Sequence, residues 1–85
     1  MGRLPLFQKA LDETESLHRA YPDVQTLQSI ANQIKYLISL ASGASTDRSR
    51  LREIILGVQA AREIEPLNRD LADLLYRVDE EAKRM

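Results

Sequence analysis

Arg48-Ser49-Arg50-Leu51-Arg52-Glu53-Ile54-Ile55-Leu56-Gly57-Val58-Gln59-Ala60-Ala61-Arg62-Glu63-Ile64 is apolar on almost every side when wound as a helix. Leu51, Ile54, Ile55, Val58 and Ala61 form one stripe at helical spacing. Leu56, Ala60 and Ile64 form a second stripe on the far side. A surface helix normally shows one apolar face and one polar face. The periodicity therefore predicts a helix over residues 48–64 with one neighbour inside the chain and a second neighbour still to be found.

Working outward, the segments on either side repeat the helical pattern with a single face each. Val24, Leu27, Ile30, Ala31, Ile34, Leu37, Ile38 and Ala41 make the cleanest stripe, with Asp23 as its expected cap and Gly43 as its C-terminal stop. Upstream, Pro5 opens a helix carrying Phe7, Ala10, Leu11, Thr14, Leu17, His18 and Tyr21, and Pro22 ends it. Downstream, Glu65-Pro66 breaks the chain. Leu71, Leu74, Leu75, Val78 and Ala82 then share one face of a last helix capped by Asn68 or Glu65. Ala44-Ser45-Thr46 is expected to be a short loop, with Thr46 or Asp47 capping the third helix. Helices joined by short connections are usually antiparallel neighbours. The expected fold is all-α: a compact antiparallel bundle of four helices, one domain over residues 1–85. The core is expected at Leu27, Ile34, Ile38, Leu51, Ile55, Val58, Leu71 and Leu75.

Composition narrows the function classes. Of 85 residues, 44% are hydrophobic and 29% charged, the balance of a folded domain rather than a disordered chain. There is no cysteine, so neither a disulfide framework nor a thiolate metal site is available. The apolar run Leu4-Pro5-Leu6-Phe7 is too short for a signal peptide. No segment reaches the roughly 18 apolar residues of a membrane span. A cytoplasmic protein with no membrane partner is expected.

The net charge is −1, which favours neither nucleic acid nor an anionic surface. Its distribution is uneven. From Lys35 to Arg62 there are five basic and two acidic residues, and from Glu63 to Met85 seven acidic and four basic. Arg48 and Arg52 share a helix side while Arg50 points elsewhere, and the acidic fourth helix would oppose phosphate. No nucleic-acid partner is expected.

Catalytic candidates are few. His18 is the single histidine. Ser16 and Ser49 lack a nucleophile-elbow context. Glu15-Ser16-Leu17-His18 has the Glu-x-x-His spacing of di-iron bundles, but such a site needs a second histidine and further core glutamates. The three glycines, Gly2, Gly43 and Gly57, are scattered and form no phosphate loop. No catalytic residue, cofactor or metal is expected. Gly57, in mid-helix, reads as a place of close backbone approach.

Binding residues are easier to name. On the second helix, Gln33, Tyr36 and Leu40 oppose the apolar stripe. Asp47 and Arg48 lie at the expected start of the third helix, and Tyr76 opposes Leu71, Leu75 and Val78 on the fourth. Tyrosine and arginine are the residue types that dominate interface hot spots. These six are the expected partner-binding residues.

Several of the same segments resemble a known family. Arg19-Ala20-Tyr21-Pro22, Gln33-Ile34-Lys35-Tyr36-Leu37 and Asp47-Arg48-Ser49-x-Leu51 with Leu56-Gly57 are similar to small helical immunity proteins of type VI secretion toxins. The resemblance continues through Glu63-Ile64 and Pro66 to Tyr76, and fades after Val78. It implies a cytoplasmic protein that binds a cognate secreted toxin and occludes its active site, the toxin being one that degrades NAD(P). A homo-oligomeric helical adaptor is the alternative that the apolar faces alone would suggest.

Overall fold

The computed structural model describes residues 2–85 and contains four helices and no strand among them. Helix α1 spans Arg3–Ala20 and α2 spans Gln25–Ala41. A 3₁₀ turn at Leu51–Glu53 precedes α3, Leu56–Gln59, which runs without a break into a π-helical turn at Ala60–Ile64. Helix α4 spans Arg69–Lys83.

Helix α1 starts two residues before Pro5. The first four N–H groups of a helix have no intrahelical acceptor, so a proline there removes nothing. The helix ends where the Tyr21 N–H bonds the Leu17 carbonyl at 2.9 Å, just before Pro22. Helix α2 has Val24, not Asp23, at its N-cap position, and no side chain caps it. Its end follows the expected chemistry: Gly43 takes a φ of 82°, a left-handed conformation open to glycine at little cost. Asn68 caps α4, its side-chain oxygen accepting the Leu71 N–H at 3.0 Å.

The helices meet on a single core. Phe7, Ala10, Leu11 and Thr14 face it from α1, and Leu27, Ile30, Ala31, Ile34 and Leu37 from α2. Leu71, Ala72, Leu74, Leu75, Val78 and Ala82 complete it from α4. Thr14 is the buried polar residue, and its hydroxyl donates to the Ala10 carbonyl at 2.7 Å. Arg3 at the start of α1 pairs with Glu81 near the end of α4 at 3.1 Å, as antiparallel neighbours require. Ile38, expected in the core, is half-buried, and Tyr21 is exposed.

The third helical segment departs most from expectation. It begins at Leu56, not Arg48, and its inward face is the Leu56, Ala60 and Ile64 stripe, each fully buried. Ile55 is 49% exposed and Val58 55% exposed, while Leu51 is only half-buried. The expected core positions Leu51, Ile55 and Val58 are therefore corrected. Both stripes are apolar, and only one can meet the other three helices. The backbone breaks at Ile54, which is extended, so the residues before and after it no longer share a helical register. Gly57 explains how close the segment lies to α4. A Cβ there would sit 3.0 Å from Oδ2 of Asp79. The π turn ends with the Glu65 N–H reaching back to the Ala60 carbonyl at 2.9 Å.

Candidate protein-interaction surface

Residues 42–55 form a strap between α2 and α3, holding only the one 3₁₀ turn. Connections this long without regular structure are usually functional in compact domains. The strap is not free to wander, because α2 fastens it from outside the core.

Two fastenings do this. The Tyr36 hydroxyl donates to the Asp47 carbonyl at 2.7 Å and accepts the Arg50 N–H at 3.2 Å. The Arg50 guanidinium lies over the Tyr36 ring, 5.5 Å from its centroid, within cation–π range. Three residues earlier on α2, Gln33 accepts the Ile55 N–H at 2.9 Å through Oε1 and donates to Oε1 of Gln59 at 2.7 Å. The Ser29 hydroxyl accepts from both glutamines, at 3.3 and 3.2 Å. Near the other end of the segment, the Thr26 hydroxyl donates to Glu63. Two of these bonds supply partners to the Arg50 and Ile55 N–H groups, which the irregular strap cannot satisfy itself.

Asp47 is shaped by the strap and not by a helix start. Its Oδ1 accepts the Ser49 N–H at 3.0 Å, an Asx turn. The Ser49 hydroxyl and backbone, with Arg50 beside them, hold the Asp47 carboxyl below the usual carboxylate range. Arg48 is exposed and donates to the Met85 carbonyl at 2.6 Å, tying the strap to the end of α4. Leu40 is half-buried near the end of α2. Tyr76 is engaged apart from the strap: its hydroxyl donates to Glu65 at 3.1 Å. Partial burial and that carboxylate push the Tyr76 hydroxyl up from its ordinary pKa.

Gln33, Tyr36 and Asp47 are thus brought together by direct bonds or by the strap, with Arg48 next to them. Between α2 and the strap lies an open groove of about 530 Å³, walled by Gln25, Gln28 and Asn32 on one side and Arg50, Glu53 and Ile54 on the other. Its lining offers amide donors and acceptors with one cation and one anion. Such groups can hydrogen-bond and pair with the polar surface of a partner. His18 lies elsewhere, half-buried near the end of α1. Among the described residues no group of three or more His, Cys, Asp or Glu is placed to hold a metal ion. No helix is long and apolar enough to cross a membrane.

A sequence model of the Tsi6 family matches residues 3–84. The chain belongs to the Tsi6 family. The structure of Tsi6 from Pseudomonas aeruginosa superposes with a TM-score of 0.88 at 26% sequence identity, covering 96% of this chain and 95% of that one. A search of curated proteins gives no match. Tsi6 family members are immunity proteins of type VI secretion. The likeness to Tsi6 extends over nearly the whole chain, so it includes the strap as well as the helices.

Three surface features of this Tsi6 family member escape the residue pattern. Arg50 acts as the lid on the Tyr36 ring, yet its position in sequence suggests only a charged residue pointing away from Arg48. Gln59 bonds Gln33 across 26 residues, and no local spacing signals such a pair. Ile55 and Val58 are exposed. Their signal is the presence of two apolar stripes on one segment, but period alone does not say which stripe faces out.

Proposed function

We propose that this chain is the antidote to a cognate secreted antibacterial toxin, binding it in the cytoplasm and covering its active cleft. Membership of an immunity family over residues 3–84 is the observation that carries this reading. The resemblance noted in the sequence supports an NAD(P)-degrading enzyme as the toxin. An inhibitor of this kind needs no chemistry of its own. It needs a stiff scaffold and a surface whose shape exists before the partner arrives, because ordering a loop on binding costs affinity.

The fastened strap meets that need. Asp47 and Arg48 are exposed on it and offer charges to a partner. Gln33 and Tyr36 then act chiefly by holding the strap in place, with Leu40 beside it and Tyr76 at a separate edge of the surface. Charge pairs on such a surface set the rate of encounter and the choice of partner more than the final affinity.

Co-production with a secreted NAD(P)-degrading toxin from the same bacterium tests the reading. The expected result is normal growth and preserved NAD(P) levels in cells that otherwise lose both. A purified toxin that neither binds the chain nor loses activity in its presence would rule the reading out.

A further inference from the structure

The apolar face left outside by α3 adjoins the amide groove. Ile54 and Ile55 line both the groove and a second depression that continues over Val58 and Ala61. Ile55 and Val58 are about half exposed and lie next to one another, and among the described residues the other large exposed apolar side chains are Leu4, Tyr21 and Leu67. Contiguous exposed apolar surface rimmed by polar groups marks interaction sites.

The charges around it say what kind of surface would cover it. Arg62 and Lys83 border this face, and Arg50 lines the adjoining groove, all three exposed. The anions among them are Glu53 and Asp79, and Asp79 is held by Lys83 at 3.0 Å with its own side chain only 13% exposed. The face is therefore cationic on a chain of net charge −1. A two-fold dimer through this face would set arginine against arginine, because an isologous interface places the same patch on both sides. Like charges across an interface suppress a partner. A surface with an apolar centre and a carboxylate rim has the complementary form.

We infer that Ile54, Ile55 and Val58 with the surrounding arginines dock an acidic-rimmed apolar patch of the toxin, the strap groove continuing the same interface. This rests on the immunity reading above and names the part of the chain that performs it. Ile55 and Val58 supply the desolvated centre. Arg50 and Arg62 supply the rim, which steers encounter and is weakened by salt.

The test is titration of the purified toxin into the full chain and three variants, with thermal melts and sedimentation of each. Val58→Glu and the milder Ile55→Ser are expected to weaken binding about tenfold or more, as central contacts do, with melting temperatures near that of the unaltered chain. Arg62→Glu is expected to slow association and flatten its salt dependence while leaving dissociation little changed. Wild-type affinity in both apolar variants would overturn the assignment of this face while leaving the immunity reading intact. Absence of toxin binding by the unaltered chain would overturn both. A self-associated chain that Val58→Glu converts to monomers would overturn it in favour of a second copy on the same face.

Discussion

The Tyr36 hydroxyl holds the Asp47 carbonyl at 2.7 Å, fixing a loop to a helix eleven residues away. The same oxygen accepts the Arg50 N–H, so one phenol bridges two strap residues. Tyr36 is half-buried and packs against the core. A residue that looks like a bare interface anchor on a helical projection is thus part of the frame that holds the strap.

That role separates two substitutions. Tyr36→Phe removes the bridge and keeps the ring, which is expected to cost about 1 kcal/mol. Amide hydrogen exchange should quicken over residues 45–50 while α2 stays protected. Tyr36→Ala loses the ring packing and the Arg50 stack as well, so its melting temperature should fall further. Equal melting temperatures for Tyr36→Ala and the unaltered chain would contradict the supporting role.

The register of α3 gives a second expectation. Leu56 is fully buried and Ile55 about half exposed. Leu56→Ala should cost about 2–5 kcal/mol, the range for a buried leucine. Ile55→Ala should cost well under 1 kcal/mol, as surface changes usually do. Urea unfolding of both variants checks the pair, and the reverse order would restore the stripe expected from sequence.

Gly57 faces opposing forces. Alanine is favoured over glycine in a helix by about 1 kcal/mol. Here its Cβ would press on the Asp79 carboxylate, which is 3.0 Å away and tied to Lys83. Gly57→Ala is expected to destabilise the chain despite the propensity gain. In an Asp79→Ala background the same change should become stabilising. A double-mutant cycle measures the coupling.

The Arg3–Glu81 pair makes a pH prediction. The Arg3 hydrogen bond, helped by Arg84, holds the Glu81 carboxyl below the ordinary glutamate range. A carboxylate with a lowered native pKa stabilises the fold above its unfolded pKa, and that contribution is lost as pH falls through the native value. The unaltered chain should therefore melt above Glu81→Gln at neutral pH. The two should converge in acid, starting near pH ~4 where unfolded glutamate takes up its proton. A constant gap from neutral pH to strong acid would show that the pair adds nothing by its charge. The side chains are partly exposed, so the effect should be small and should shrink with salt.

His18 offers a check on the kind of activity. It lies near the end of α1, away from the strap groove. His18→Gln should protect cells from the toxin within a few-fold of the unaltered chain. A folded, toxin-binding His18→Gln variant that no longer protects would point to chemistry at that residue.

Much of the architecture follows from the sequence alone. Four helical segments are legible because period and punctuation agree: Pro22, Gly43 and Pro66 fall between stripes, and Asn68 stands where a cap is needed. The single faces of α2 and α4 leave no choice about what points inward, so Leu27, Ile34, Leu71 and Leu75 are buried as the pattern requires. The all-α class and the family likeness are fixed at that level. The third segment is different, because it has two apolar stripes and local periodicity favours the longer one, with Leu51, Ile55 and Val58, as the inward face. Only the tertiary structure decides between them. Gly57 lets the segment approach Asp79, Gln33 captures the Ile55 N–H, and the backbone breaks at Ile54, so Leu56 turns inward and Val58 outward. These contacts join residues 22 positions apart or more, and no local rule of spacing contains them. The strap and the outward face of α3 depend on the same long-range contacts, so the sequence pattern could point to residues on α2 as binding candidates but not to the face that α3 leaves open.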